Sequence, residues 1–267
     1  MLIDIQTASP PYKVLQSKAA EELKSRMAGR PAIARMIDSV ASHSSIESRC
    51  IIIPDADDSA ENKFYSKNGV YLVPDTKTRM NEYEKWSKEL TKIAVAKLFE
   101  KNNLNPAEIN NLITISCTGF FAPGLDYHLI NEFKITSAVK RTNIGFMGCA
   151  ASVVGFNSVL DILNSDVTHK KNILAAKNIS IESIKYWALH PGGRAILDSL
   201  QTGLSLSDEQ LIPSRIILSN FGNMSSASIL FVLKEIIDKV IILKGDYCCV
   251  VAFGPGLTME VALLQGQ

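Results

Sequence analysis

Three glycine-containing junctions, each between a strand-like run and a helix-like run, constrain the fold of this chain most. They are GFMGCAAS (residues 145–152), WALHPGGRAILD (187–198) and LSNFGNMSSASILF (218–231). Apolar residues at helical spacing follow each junction, and a short apolar run precedes it. Strands that alternate with helices predict an α/β fold. Turns between them present side chains from a rigid scaffold, so Cys149, His190 and Asn223 are the first candidates for a site.

The same periodicity predicts the other elements of the chain. Helices are predicted over residues 16–27, 31–40, 80–102, 192–201 and 225–240, with further helices beginning near Asp126 and Ala150. Strands are predicted over residues 2–7, 111–117, 141–146, 184–189, 214–219, 247–253 and 257–264. Residues 41–79 show no regular pattern, and the polar stretch DADDSAENK (55–63) indicates a surface excursion there.

The thiol, imidazole and carboxamide of the three junctions suit thioester chemistry. A helix N-terminus at Cys149 favours the thiolate, because unpaired N–H groups and the positive end of the helix dipole lie there. An imidazolium at His190 would strengthen that effect if it lies alongside. Small residues beside the thiol, Gly148, Ala150 and Ala151, leave room for a thioester. The sequence therefore predicts Cys149 as a nucleophile with His190 and Asn223 as hydrogen-bond donors to an oxyanion or enolate.

Each member of this trio also has a purely structural interpretation. Cys149 is alternatively an inert buried thiol, and His190 a satisfied core or turn histidine. Asn223 is alternatively the N-cap of the helix that follows, since asparagine is a favoured capping residue. We expect an amide directed into a pocket to be unable to cap, in which case Ser225 takes over the capping role.

Composition excludes several other classes of function. The chain has 267 residues, 46% of them hydrophobic, which is enough for one substantial core or two small fused halves. Its 28 basic and 27 acidic residues give no broad field for nucleic acid or a membrane surface. No apolar run approaches the roughly 20 residues that cross a bilayer, and the N-terminus does not resemble a secretion signal. These features predict a cytoplasmic enzyme.

The five cysteines are expected to be reduced. Cys50, Cys117, Cys149, Cys248 and Cys249 are odd in number and show no metal-ligand spacing, so neither a disulfide framework nor a metal site is predicted. Free cysteine behaves as a small hydrophobic residue, and we expect Cys50, Cys248 and Cys249 to be packed in the interior.

The junction motifs, together with TASPP (7–11), PGLDYHL (123–129) and AFGPGLTMEVALL (252–264), closely resemble the type III polyketide synthases, the chalcone and stilbene synthase family. The resemblance implies the thiolase-like fold, a layered αβαβα arrangement of two fused halves. An N-terminal half over residues 1–170 would carry the nucleophilic cysteine, and a C-terminal half over residues 171–267 would carry the histidine and asparagine. Only 41 positions separate Cys149 from His190, whereas the family carries roughly a hundred further residues there, the size of a small domain. The second half is therefore predicted to be joined after a deletion.

The resemblance also implies an activity. It is the decarboxylative condensation of an acyl-CoA starter with malonyl-CoA to a pyrone, resorcinol or chalcone-like product, by a homodimer that needs no cofactor and no metal. The substrate-binding positions it implies are Cys117, Thr118, Phe253, Gly254, Pro255 and Gly256, and Ala122 is implied at the dimer interface. The alternative is a noncatalytic remnant, or a partner subunit of such an enzyme, that keeps the trio without turnover.

Overall fold

The computed structural model describes residues 2, 4–27, 29–53, 55, 64–67, 70–163, 179–254 and 258–266. The α-helices within them are α1 (Gln16–Arg26), α2 (Pro31–His43), α3 (Thr76–Asn102), α4 (Leu125–Phe133), α5 (Ala151–Leu163), α6 (Arg194–Leu204), α7 (Asp208–Phe221) and α8 (Ser228–Lys239). The strands are β1 (Tyr12–Leu15), β2 (Ser48–Ile51), β3 (Ser66–Lys67), β4 (Val70–Tyr71), β5 (Asn111–Ser116), β6 (Lys140–Gly145), β7 (Ile184–Leu189), β8 (Tyr247–Gly254) and β9 (Thr258–Gln265). The α/β prediction is confirmed.

Two predicted strands are wrong. Residues 4–7 form no strand; instead the Asp4 carboxylate accepts hydrogen bonds from Asn102 and Lys101 of α3. Residues 214–219 belong to α7. The run of Ile216, Ile217 and Leu218 resembles a strand by itself. The residues that α7 buries are nevertheless spaced three and four apart, as on one face of a helix, and these are Leu211, Ser214, Ile217 and Leu218.

The chain divides into two compact units that interleave along the sequence. Unit 1 comprises Met1–Leu112, Gly119–Arg141 and Ser219–Gly222. Unit 2 comprises Ile113–Thr118, Thr142–Leu218 and Asn223–Gln267. The predicted boundary between residues 170 and 171, with the junction left by the deletion, lies outside the described residues and stays a prediction.

In unit 1, the strand β2 holds the last residues of α7. The Glu47 N–H donates to the Ser219 carbonyl over 2.9 Å, and the buried Ser48 hydroxyl donates to the Asn220 carbonyl over 2.9 Å. The final carbonyl groups of a helix have no partner inside the helix. These two bonds therefore give partners to two of the last carbonyl groups of α7, from Glu47 just before β2 and from Ser48, its first residue.

In unit 2, three strands form a sheet in the order β7, β8, β9. The strands β7 and β8 are parallel, with Leu189 opposite Val251, so their carboxyl ends lie at the same edge. The strand β9 runs antiparallel to β8. Helices surround this sheet with fully buried apolar side chains, among them Leu197, Leu211, Leu218, Ile229, Val232 and Leu233. Because β7 ends at Leu189, the sheet places His190 at this common edge.

Although α3 has 27 residues, no helix in the described ranges carries an apolar stretch long enough to pass through a bilayer.

Candidate active site

Cys149 lies in a single 3₁₀ turn, Gly148–Ala150, directly before α5. Gly148 adopts the left-handed conformation, with φ of 61°, which glycine reaches without steric cost. The thiol is half-buried and lies within hydrogen-bonding distance of two acceptors, Asn223 Oδ1 at 3.9 Å and Ser225 Oγ at 3.6 Å. Its predicted position at a helix N-terminus is therefore confirmed, and the thiol is not enclosed in the core.

His190 is the residue directly after β7, and only 2% of its surface is exposed. Its backbone N–H donates to the Val251 carbonyl over 2.9 Å, and its carbonyl accepts from the Gly192 N–H over 2.9 Å. Neither ring nitrogen has a hydrogen-bond partner in the described part of the chain. The burial that the core-histidine interpretation requires is thus confirmed. The hydrogen bonds that would satisfy the ring nitrogens are not found among the described residues.

The protonation state of His190 follows from the burial of its ring. Burial of the ring, which disfavours the charged form, lowers the pKa of His190 to about 4. The imidazole is therefore neutral at neutral pH, and the imidazolium considered as a support for the Cys149 thiolate is disfavoured. A neutral imidazole carries one N–H, so it can still donate one hydrogen bond.

Gly192 forms the wall beside the imidazole. A Cβ atom built on this glycine would lie 3.8 Å from His190 Nε2 and 2.8 Å from Cδ1 of Ile196. The second distance is shorter than real Cβ contacts allow, so Ile196 would have to move. The atom that would move is the end of an exposed, flexible side chain, so the distance of α6 from the turn does not depend on this glycine. Glycine leaves the Nε2 edge free of a side chain.

Asn223 uses both ends of its carboxamide. Its Nδ2 donates to the Gly192 carbonyl over 3.3 Å, and its Oδ1 accepts from the Ser225 N–H over 2.8 Å. The bond to Ser225 is the kind of local turn bond that asparagine forms with the backbone. This bond caps no helix, because Met224 stands at the N-cap of the following 3₁₀ turn and no side chain caps that turn or α8. The N-cap interpretation of Asn223 is therefore wrong, and Ser225 does not take over a capping role. Nδ2 carries two N–H groups, so a second one remains for a ligand.

Ser225 belongs to this site but was interpreted from the sequence only as a substitute cap. It is a left-handed serine, with φ of 58°, and its Oγ faces Cys149 Sγ. Non-glycine residues in this conformation are strained and are concentrated at functional sites. The sequence signal that could have identified Ser225 as a site residue was its position on a turn, two residues after Asn223. A capping residue is expected at the same position, so the signal was ambiguous.

The contacts connect the three predicted catalytic residues within unit 2. Cys149 is in direct contact with Asn223, and Asn223 is bonded to Gly192, which lies two residues after His190 and beside its ring. A thiol, an amide N–H and an uncharged imidazole are thereby gathered at the carboxyl edge of the β7–β8 pair. Their catalytic roles remain predictions.

The predicted substrate-binding residues are placed as follows. The Cys117 carbonyl accepts from the Phe146 N–H over 2.9 Å, which fixes the strand end before the cysteine turn, and Thr118 is exposed. Phe253 is half-buried near the end of β8. A Cβ built on Gly254 would lie 3.1 Å from Ala150 Cβ and 3.2 Å from the Met147 carbonyl oxygen, so β8 ends against the cysteine turn. Pro255 and Gly256 lie outside the described residues.

The remaining predictions concern Ala122, metals and the other cysteines. Ala122 is exposed and belongs to unit 1; its role at a dimer interface stays a prediction. Among the residues that the structure describes, no group of His, Cys, Asp and Glu side chains could hold a metal ion.

All five cysteines are free, as predicted. Burial raises the pKa of Cys248 to about 12 and that of Cys249 to about 12, so both thiols stay protonated and unreactive. Cys50 is half-buried rather than fully packed. Cys149 is thus distinguished from the thiols of β8 by its access and its polar neighbours.

Comparison with known proteins shows which families the chain is similar to. The family model for FAE1/type III polyketide synthase-like proteins matches residues 59–188, and the model for the C-terminal domain of chalcone and stilbene synthases matches residues 157–267. Type III polyketide synthase 21 of Oryza sativa subsp. japonica is 41% identical over 83 residues, which are 30% of this chain and 21% of that protein. The match therefore spans about a fifth of the length of this relative.

Solved structures show the same fold over nearly the whole chain. PKS-I from the brown alga Ectocarpus siliculosus matches with a TM-score of 0.86 and 23% identity, covering 98% of this chain and 97% of that one. The 1,3,6,8-tetrahydroxynaphthalene synthase of Streptomyces coelicolor A3(2), a bacterial type III polyketide synthase, matches with a TM-score of 0.79 and 20% identity, covering 98% of each chain. These matches confirm the thiolase-like fold. Since the two family models together run from residue 59 to residue 267, the chain belongs to the type III polyketide synthase family, which includes the chalcone and stilbene synthases.

Proposed function

We propose that this chain is an acyltransferase that condenses an acyl-CoA starter with malonyl-CoA and releases a pyrone, resorcinol or chalcone-like product. The observation that carries the proposal is the contact between the Cys149 thiol and Asn223, whose amide nitrogen is bonded to the turn that holds His190. A nucleophile and two hydrogen-bond donors are the groups that such a reaction requires.

In the first step, Cys149 sulfur attacks the carbonyl carbon of the acyl-CoA thioester. The carbon–sulfur bond to CoA breaks, the thiol proton ends on the departing CoA, and the acyl group remains on Cys149. Negative charge develops on the carbonyl oxygen during the attack. The N–H of neutral His190 and the second N–H of Asn223 are the proposed donors to this oxygen, and removal of one such donor costs about 3 to 4 kcal/mol of transition-state stabilisation in other enzymes.

In the second step, malonyl-CoA loses CO₂, and the electron pair of the broken carbon–carbon bond forms an enolate. The same two donors would stabilise the enolate oxygen, because it also derives from a thioester carbonyl. The enolate carbon then attacks the acyl carbon on Cys149, and the sulfur leaves. At neutral pH the His190 imidazole is neutral and carries one N–H, which is the proposed donor to this oxygen.

The proposed partners are acyl-CoA, malonyl-CoA and a second copy of the chain, and the proposed compartment is the cytoplasm. No cofactor enters the proposed steps, since the thioesters and the loss of CO₂ supply the reactivity. Gly254, which lies against the cysteine turn, is proposed to line the path to the thiol together with Cys117 and Phe253.

Intact-mass measurement after incubation with an acyl-CoA tests the proposal. We expect one acyl adduct that maps to Cys149, and release of CO₂ and a pyrone or resorcinol once malonyl-CoA is added. The variant Cys149→Ala should lose both adduct and product, whereas Cys50→Ala, which alters a thiol in unit 1, should keep both.

Two outcomes would refute the enzymatic proposal. One is a product that persists in Cys149→Ala. The other is the absence of any adduct on the wild-type protein, combined with an aggregated or heterodimeric state; this outcome would favour the noncatalytic remnant or partner subunit.

A further inference from the structure

A buried serine is bonded to the residue that precedes His190. Ser214, in α7, is fully buried, with 0% of its surface exposed. Its hydroxyl donates to the Leu189 carbonyl over 2.8 Å and accepts from the Leu189 N–H over 3.3 Å. One side chain thus satisfies both backbone groups of the last residue of β7.

The position of Leu189 explains why these groups need a partner. In the described sheet, β7 is paired with β8 on one side only. Neighbouring residues of a strand direct their backbone groups to opposite sides. His190 donates to Val251 of β8, so Leu189 faces the other way, where no further described strand is bonded. Ser214 therefore completes the hydrogen bonding at the very end of this strand.

Further hydrogen bonds connect the backbone after Leu189 with the side-chain amide of Asn223. The His190 N–H is bonded to Val251, the Gly192 N–H to the His190 carbonyl, and the Gly192 carbonyl to Asn223 Nδ2. The backbone that carries the imidazole is held at both ends, by Ser214 at one end and by Asn223 at the other. The ring itself has no bonded partner among the described residues, so its direction depends on this backbone and on packing.

We infer that Ser214 is a positioning residue for His190. Through the two bonds to Leu189 it fixes the backbone from which the imidazole projects, and through Gly192 it sets the relation of that imidazole to Asn223. The effect on catalysis rests on the function proposed above. The effect on the His190 ring does not, and can be measured without turnover.

The competing explanation is that Ser214 only stabilises the core. Loss of its hydroxyl would then lower the melting temperature but leave the His190 environment and the rate per folded molecule unchanged. Ser48 provides a matched control, since it is also buried and its hydroxyl also bonds a backbone carbonyl, that of Asn220 in unit 1.

The experiment compares Ser214→Ala, Ser214→Thr and Ser48→Ala by two measurements. The first is the nuclear magnetic resonance spectrum of the ring nitrogens in protein labelled with ¹⁵N-histidine; the chain has four histidines, and His190→Gln assigns the relevant signals. The second is the kcat and KM of malonyl-CoA decarboxylation. Small displacements of catalytic groups reduce turnover by about tenfold to a hundredfold.

We expect Ser214→Ala to shift the His190 ring signals and to lower kcat by about tenfold or more, with KM changed less than about threefold. Ser214→Thr, which keeps a hydroxyl, should restore both toward wild type. Ser48→Ala should lower the melting temperature without moving the His190 signals. If Ser214→Ala does not fold, Ser214→Cys, which keeps the volume but bonds weakly, is measured in its place.

Unchanged His190 signals in Ser214→Ala or Ser214→Cys would overturn the inference, as would a shift of equal size in Ser48→Ala. Failure of Ser214→Thr to restore the signals would also contradict it. If the wild-type protein does not decarboxylate malonyl-CoA, the proposed function fails, while the ring signals still decide the role of Ser214.

Discussion

At the scale of single residues, the environment of His190 determines what the site can do. The sequence motif shows an imidazole on a turn, but its charge depends on burial, which is nearly complete. A charged ring at this position would lose its hydration, so the neutral form is favoured. The roles of Asn223 and Ser225 also depend on the tertiary environment, since they follow from the neighbour that each polar atom contacts.

The burial of His190 predicts a dependence of stability on pH. The unfolded chain binds a proton at this histidine below its ordinary pKa of 6.5, whereas the folded protein does so only below about 4. Between these values the unfolded chain binds more protons, so acid favours unfolding. Stability is therefore unaffected by this group above pH 6.5 and falls as the pH drops toward 4, by about 3 kcal/mol in total.

Urea unfolding at pH 7.5 and at pH 4.5 measures this effect. Between these two pH values the wild-type protein should lose about 2 to 3 kcal/mol more unfolding free energy than His190→Gln, which has no titrating ring. Equal losses in wild type and His190→Gln would contradict the buried, neutral assignment.

At the scale of elements, α7 shows how a local pattern misleads. Its apolar run resembles a strand, and Pro213 lies inside the helix, where proline is unfavourable. Burial of one helical face within unit 2 nevertheless selects the helix, because Leu211, Ser214 and Leu218 are all buried there. Tertiary packing therefore outweighs local propensity in this element, and it places Ser214 beside β7.

Replacement of Pro213 is expected to stabilise the protein. Proline lacks the N–H that bonds the carbonyl four residues earlier, and its ring crowds that carbonyl. Pro213→Ala should raise the free energy of unfolding by about 1 to 2 kcal/mol, since part of the gain is offset by the greater freedom of alanine in the unfolded chain.

Denaturant unfolding at constant pH is the measurement for this variant. Ile212→Ala, at an exposed neighbouring position, should change stability by less than about 0.5 kcal/mol. A loss of stability in Pro213→Ala would show that the packing of the proline ring outweighs the missing bond.

At the scale of the whole molecule, the two compact units do not correspond to two consecutive stretches of sequence. Unit 2 contains β5 residues, the cysteine turn and α5 as well as the C-terminal sheet. The Ser152 hydroxyl donates to the Ser226 carbonyl over 2.6 Å, and Asn157 donates to the Val261 carbonyl over 3.5 Å. Part-buried hydrogen bonds therefore join α5 to the turn before α8 and to β9.

This organisation predicts that residues 171–267 do not fold alone. Without the preceding half, Ser226 and Val261 lose their partners and the end of β8 loses the cysteine turn that packs against Gly254. Circular dichroism and a ¹H–¹⁵N correlation spectrum of the isolated fragment should show an unfolded chain. Co-expression with residues 1–170 should recover a folded complex, and a well-dispersed spectrum of the fragment by itself would contradict this view.

The sequence by itself determined the α/β class, most element positions and the three junctions that carry Cys149, His190 and Asn223. These follow from hydrophobic periodicity and glycine placement, which are local properties of the chain. The motifs around them also sufficed to indicate the family. The helix N-terminus at Cys149 was readable for the same reason, because a strand end, a glycine and a helical pattern stand next to one another.

Only the tertiary structure decided that His190 is neutral, that Asn223 bonds two partners at once, and that Ser225 and Ser214 belong to the site. Each of these depends on a residue far away in the chain: Ser225 meets Cys149, and Ser214 meets Leu189. Periodicity shows which face of an element is buried, but it does not show which polar groups from other elements will bond to the side chains on that face. Charge state and hydrogen bonding depend on those tertiary contacts, because desolvation and pairing exist only once the distant segments are packed together.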